Sequence, residues 1–151
     1  MTDLSDLYQE VILDHNRRPR NFHSMDRANR RAEGFNPLCG DRLTVYLHLD
    51  GDIVKEISFE GSGCAISKAS ASLMTDSLKG KSRAEVEKMF KIFHDLVTGG
   101  GDGVTPTPDQ LGKLVVFSGV REYPVRVKCA TLAWHTLIAA LRNRQEVATT
   151  E

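Results

Sequence analysis

The sequence predicts an α+β domain: a small antiparallel sheet packed against helices, with one helix before the sheet and several after it. Two observations predict it. Residues 43–59 alternate apolar and polar side chains on either side of Asp50-Gly51, the pattern of two strands joined by a tight turn. The stretches before and after them repeat apolar residues at helical spacing. No internal repeat or low-complexity block interrupts this order, and one domain is expected over residues 1–151.

The first helix carries Leu4, Leu7, Tyr8, Val11 and Ile12 on one stripe. Arg17 and Arg18 fall where a helix C-terminus favours cations, His15 suits the same dipole in its charged form, and Pro19 stops the helix. Asn21 to Glu33 is polar and Arg-rich, an exposed crossing that ends in a short edge strand around Arg31 to Phe35. In the hairpin, Leu43, Val45, Leu47 and Leu49 share one face, and Ile53, Lys55, Ile57 and Phe59 share one face of the next strand. One side of the sheet should meet helices and the other should be largely wet. A helix over Ala65 to Lys79, ended by Gly80, buries Ile66, Ala69, Leu73 and Met74. Ser82 and Glu85 form a capping box for a helix with Val86, Met89, Phe90 and Phe93 on its apolar stripe. The glycines of 98–108 predict a loop, and no Lys-Ser/Thr pair follows them to make a phosphate cradle. Pro108 opens a short helix through Leu111 and Leu114. The last helix starts just after Tyr123-Pro124 and aligns Val127, Ala130, Trp134, Leu137, Ile138 and Leu141; the tail from 142 to 151 is expected to fray.

Composition narrows the function. The 151 residues balance 20 Lys+Arg against 20 Asp+Glu, which removes the electrostatic reason to expect nucleic acid or an anionic membrane surface. No apolar run is long enough to span a bilayer. The N-terminus is acidic first and basic later, the reverse of a secretory signal, so a cytoplasmic protein is expected. Three cysteines, an odd number, argue for reduced thiols rather than a disulfide framework.

The surroundings of those cysteines carry the chemistry. Cys39 lies in Asn36-Pro37-Leu38-Cys39-Gly40-Asp41, where residues two apart can present a thiolate and a carboxylate to one point without a side chain between them. Cys64 lies in Gly61-Ser62-Gly63-Cys64-Ala65-Ile66-Ser67, between a strand end and a helix start. Cys129 follows Arg126 and Lys128 in the first turn expected of the last helix. A helix N-terminus favours thiolate, the form a metal or a sulfur electrophile requires. If the three thiolates and Asp41 meet, the donor set is S3O. Zinc accepts such a set in tetrahedral geometry, whereas iron–sulfur clusters usually take four Cys. The gaps between the cysteines far exceed those of zinc-finger knuckles, so only the fold can bring them together. The hydroxyls of Ser67, Ser70 and Ser72 are explained by helix packing.

N-P-x-C-G-D, G-x-G-C-A-I-S-x-A-S and K-C-A-x-L, in that order, resemble the NifU/IscU-like iron–sulfur cluster assembly family, as do the opening L-Y-x-E-V-I-L-D-H and P-R-N-F. The resemblance runs from Leu4 to about Leu141 and implies a three-stranded sheet and one surface site made of Cys39, Asp41, Cys64 and Cys129. The IscU branch carries a His directly before the third Cys, where this chain has Lys128. That substitution, and an extra segment over roughly Met89 to Val120, look like the SufU branch. The chaperone signal of the IscU branch survives only as Tyr123-Pro124-Val125-Arg126.

The SufU resemblance implies that zinc holds the three thiolates and Asp41 at rest. It also implies that a SufS-type cysteine desulfurase delivers persulfide sulfur to Cys39, with downstream SUF cluster assembly proteins as recipients. Docking is expected to free Cys39 by a desulfurase His taking a ligand's place. Cys39 sits on a Gly-flanked loop, whereas Cys64 and Cys129 are anchored to helices, so Cys39 is the expected acceptor. Arg126 is expected to hold the partner or support a persulfide anion. The chain then reads as a sulfur-transfer partner rather than a stand-alone enzyme. Two alternatives stand beside this reading: a scaffold on which a [2Fe–2S] cluster is built and passed to apo-proteins, and a zinc-stabilised interaction module.

Overall fold

A computed structural model describes residues 4–99, 111–120, 123–143 and 148–149. Helix α1 (Leu4–Arg17) precedes strands β1 (Arg30–Asn36), β2 (Asp41–Asp50) and β3 (Ile53–Ser62). Helices α2 (Ala65–Leu78) and α3 (Arg83–Thr98), a 3-10 helix (Gly112–Val120) and helix α4 (Pro124–Leu141) follow, then the two-residue β4 (Ala148–Thr149). The three long strands pair antiparallel in the order β3-β2-β1, which is the expected α+β architecture. Of the tail that the sequence predicts to fray, Ala148 and Thr149 instead pair parallel with Gly34 and Phe35, adding a fourth strand at the edge. The glycine-rich loop expected over 98–108 lies outside the described residues beyond Gly99, where the left-handed C-cap of α3 ends the helix.

Strand β2 alternates along its length. Asp41, Leu43, Val45, Leu47 and Leu49 are buried, while the intervening residues are exposed or half-buried. On β1, Ala32, Gly34 and Asn36 are buried on the same alternation. The inner face is therefore apolar except at one end, where Asn36 and Asp41 pair across the ladder. Hairpin register differs from the expected one. Val54, rather than Ile53 or Lys55, is buried with Ile57 and Phe59, because an irregularity next to His48 and Leu49 pairs Leu49 with Val54 and leaves Lys55 unopposed.

The helices cover the inner face. Trp134 of α4 stacks on Phe93 of α3 with ring centroids 4.6 Å apart, and Phe117 of the 3-10 helix meets Phe93 edge-on at 5.7 Å. The capping box of α3 forms as expected, Ser82 Oγ accepting from the Glu85 backbone and Glu85 from the Ser82 backbone. Leu111 and Leu114 are helical as expected, Leu111 as α-helix and Leu114 within the 3-10 helix, while Pro108 lies outside the described residues.

His15 is buried rather than charged at a helix end. Its Nδ1 meets Ser72 Oγ at 2.7 Å, and burial holds the imidazole below its ordinary pKa. Among the described residues, no helix is long and apolar enough to cross a membrane.

Candidate metal centre

The centre grows out of the polar end of the sheet. The chain leaves β1 at Asn36 and turns over residues 37–40 before entering β2 at Asp41. Asn36 holds this turn together: its backbone oxygen accepts from Gly40 N at 2.8 Å, and its side-chain oxygen accepts from Leu38 N at 3.2 Å. Gly40 has a φ of +73°, and a Cβ there would meet nothing within 4 Å. Glycine is required by the left-handed backbone. Cys39 is consequently exposed at the tip, while Asp41 is turned inward and buried.

Strand β3 ends at Ser62, and Cys64 caps α2. The Cys64 sulfur accepts from Ser67 N at 3.4 Å, the Cys64 amide donates to Asp41 Oδ1 at 2.8 Å, and Cys64 Sγ stands 3.7 Å from Asp41 Oδ2. Gly63 permits this approach: a Cβ there would stand 2.9 Å from Asp41 Oδ1. Cys129 arrives from α4. It is buried, its sulfur lies 3.5 Å from that of Cys39, and Asn36 Nδ2 donates to it at 3.8 Å.

The fold gathers three of the four expected residues, Cys39, Asp41 and Cys129, and sets Cys64 beside Asp41. One ligand atom each from Cys39, Asp41 and Cys129 falls within 4.8 Å of the others, and Cys64 joins through Asp41. Zinc–sulfur bonds of about 2.3 Å in a tetrahedron separate neighbouring sulfurs by about 3.8 Å. The 3.5 Å between Cys39 and Cys129 is close to that edge. Soft thiolates with one carboxylate are a donor set zinc accepts, so the residues present fit the ion.

Electrostatics separate the thiols. A hydrogen bond from Cys129, helped by the Ser67 amide and opposed by burial, draws the Cys64 thiol down to about 7. Cys129 is pushed up as the donor to Cys64 and by burial. The structure also moves Cys129 out of the first helical turn that the sequence predicts for it. Helix α4 already begins at Pro124, which puts Cys129 in its second turn, beyond the reach of the terminal dipole.

Arg126 is exposed, and its guanidinium lies 4.6 Å over the Tyr123 ring, with no contact to the sulfurs among the described hydrogen bonds and ion pairs. Leu38 beside Cys39, Tyr123 at the N-cap of α4 and Val125 in its first turn are exposed large apolar residues. Sequence reasoning missed Asn36 as a site residue. Its signal was present in N-P-x-C-G-D, where it reads only as a turn former. Of the serines, Ser70 donates to Ala130 O at 2.6 Å and Ser72 accepts from Arg20 N at 2.8 Å, structural roles as expected.

The family profile described as NifU-like N terminal domain matches residues 7–144. The chain is 42% identical over 137 residues to the zinc-dependent sulfurtransferase SufU of Bacillus subtilis, covering 89% of each. It is 37% identical over 143 residues to the iron-sulfur cluster assembly scaffold protein IscU of Streptococcus pyogenes, covering 95% of this chain and 87% of that one. Among solved structures, a SUF-system scaffold protein of Fervidobacterium islandicum superposes with a TM-score of 0.82 at 36% identity, covering 90% of this chain and 97% of that one.

Proposed function

We propose a function from the premise that this chain belongs to the NifU-like N-terminal domain family, in which the Streptococcus and Fervidobacterium relatives are named as iron–sulfur cluster assembly scaffold proteins. Within that role, the chain binds zinc through Cys39, Asp41, Cys64 and Cys129 and accepts persulfide sulfur from a SufS-type cysteine desulfurase, in a cytoplasm that keeps its thiols reduced. The observation that carries this reading is an exposed thiol on a turn, 3.5 Å from a buried one and beside a buried carboxylate.

Zinc, when bound, supplies charge that keeps the thiols deprotonated at neutral pH. The reaction itself belongs to Cys39. Its thiolate attacks the outer sulfur of the desulfurase persulfide, a new S–S bond forms, the old one breaks, and the desulfurase cysteine leaves as thiolate. Sulfane sulfur moves with no net oxidation or reduction. Asp41, Cys64 and Cys129 stay fixed to β2, α2 and α4, while the turn of residues 37–40 lets Cys39 reach out. The exposed Leu38, Tyr123 and Val125 offer apolar contact to the desulfurase, and Arg126 a cation. Downstream SUF proteins would receive the sulfur.

The test is desulfurase turnover of cysteine with and without the chain. Wild type should stimulate it and Cys39→Ala should not; equal stimulation by both would remove Cys39 from the role of acceptor. The IscU relative favours a second reading, a [2Fe–2S] scaffold on the same residues. Brown protein containing iron would establish that one, and colourless protein with one zinc the first.

A further inference from the structure

Iron–sulfur clusters are built from sulfide, which is two electrons more reduced than the sulfane sulfur of a persulfide. The thiol that can supply those electrons already touches the acceptor. Cys129 Sγ lies 3.5 Å from Cys39 Sγ, a separation at which reacting atoms are poised. Cys39 is exposed and Cys129 buried, so Cys129 approaches Cys39 Sγ from the protein side. A sulfur added to Cys39 extends on the open side. Attack and departure then fall on opposite sides of one sulfur, as displacement at sulfur requires.

Other contacts single out Cys129 from Cys64. Asn36 Nδ2 donates to Cys129 Sγ at 3.8 Å and holds that sulfur beside the turn that carries Cys39. Cys64 Sγ instead accepts from Ser67 N at 3.4 Å and faces Asp41 Oδ2 at 3.7 Å, outside the group formed by Cys39, Asp41 and Cys129. Cys129 is fixed on α4, whereas Cys39 sits next to Gly40, whose surroundings are open. Closing 3.5 Å to the about 2.05 Å of a disulfide is therefore a movement of the turn.

We propose that Cys129 is the resolving thiol of the centre and expels the outer sulfur of a Cys39 persulfide as sulfide. The inference rests on the acceptor reading of Cys39 above. The Cys129 thiolate attacks Cys39 Sγ of the protonated persulfide, and a Cys39–Cys129 bond forms. The bond from Cys39 Sγ to the outer sulfur breaks, and its electron pair and proton leave with that sulfur as hydrosulfide. The sulfane sulfur gains two electrons, and the two cysteine sulfurs lose one each. A dithiol reductant returns the pair to thiols. Closing the bond withdraws Cys39 and Cys129 from the metal set.

The test loads the full chain with persulfide from a SufS-type desulfurase and cysteine, removes both, and incubates it with a chelator but without oxygen or added thiol. Wild type should release one sulfide for each Cys39–Cys129 disulfide found by peptide mass mapping. Cys129→Ser, once loaded, should keep its persulfide and release sulfide at least about tenfold more slowly. A wild-type persulfide that stays intact, a disulfide that joins Cys39 to Cys64, or equal release by Cys129→Ser would overturn the inference and leave Cys39 as acceptor. If Cys129→Ser takes up no persulfide, the wild-type disulfide map decides. A wild-type chain whose Cys39 never gains a persulfide would defeat the acceptor reading and this inference with it.

Discussion

The sulfur atoms of Cys39 and Cys129 lie 3.5 Å apart across 90 residues of chain. A disulfide would need about 2.05 Å, so they are two thiols at the spacing of neighbouring ligands. One is exposed and the other buried. Their removal should therefore differ in stability and agree in metal binding. With metal stripped, Cys39→Ala should change the free energy of urea unfolding by no more than about 0.5 kcal/mol, as exposed substitutions do. Cys129→Ala opens a small buried cavity and should cost about 1–2 kcal/mol. Both variants should lose zinc affinity by chelator competition. Equal stabilities would contradict the burial difference.

Gly63 makes room for the Asp41 carboxylate. A methyl group there would stand 2.9 Å from Oδ1, which the Cys64 amide holds at 2.8 Å. Gly63→Ala should push the carboxylate aside and weaken zinc binding about tenfold, the range seen when ligand support is lost. Gly119→Ala is the control, since its Cβ meets nothing within 4 Å, and it should bind as wild type does. Zinc titration of the two variants side by side checks the pair.

His15 gives the fold a dependence on pH. Burial, with Arg20 and Lys113, pulls its pKa below the ordinary value, while Asp14 and Asp76 oppose the shift. Because the folded value lies below the unfolded one, the unfolded chain binds a proton that the folded chain refuses. The stability His15 contributes is thus complete above about pH 6.5 and is lost as pH falls through the folded value. His135 is shifted the same way by burial and by His94. Asp14, drawn down to about 2 by hydrogen bonds from Arg20 and Arg18, stays ionised over this window. The melting temperature should therefore drop between pH 7 and pH 5. His15→Gln should flatten part of that drop, and His15→Gln with His135→Gln more of it. An unchanged slope in the double variant would exclude the histidines as its source.

How much of this was legible in the sequence depended on range. The hairpin, the capping box at Ser82 and Glu85 and the helical stripes are local patterns, and each appears where its residues place it. Cys39, Asp41 and Cys129 also gather, with Cys64 beside Asp41, although they come from a turn, a strand start, the second turn of one helix and the cap of another. Motif resemblance supplied what spacing could not. What was not legible depends on contacts between elements. His15 reads as a helix-end cation until α2 buries it against Ser72. Lys55 reads as inward until one irregularity in the ladder puts Val54 in its place. Asn36 reads as a turn residue until α4 brings Cys129 to its amide.

The two roles proposed for Arg126, holding the partner and supporting the transferred sulfur, are separated by kinetics. Its guanidinium rests 4.6 Å over the exposed Tyr123 ring, outside the cluster of thiols. Arg126→Ala should raise the concentration of chain needed for half-maximal stimulation of the desulfurase about tenfold, with the maximal rate and the zinc content unchanged, as for a lost interface cation. Tyr123→Leu removes only the stacking, worth about 0.5–1 kcal/mol at an exposed site, and should raise the same concentration about two- to fivefold. A maximal rate that falls while half-saturation stays put would instead place Arg126 at the persulfide, because an interaction made only with the reacting sulfur changes turnover and not docking.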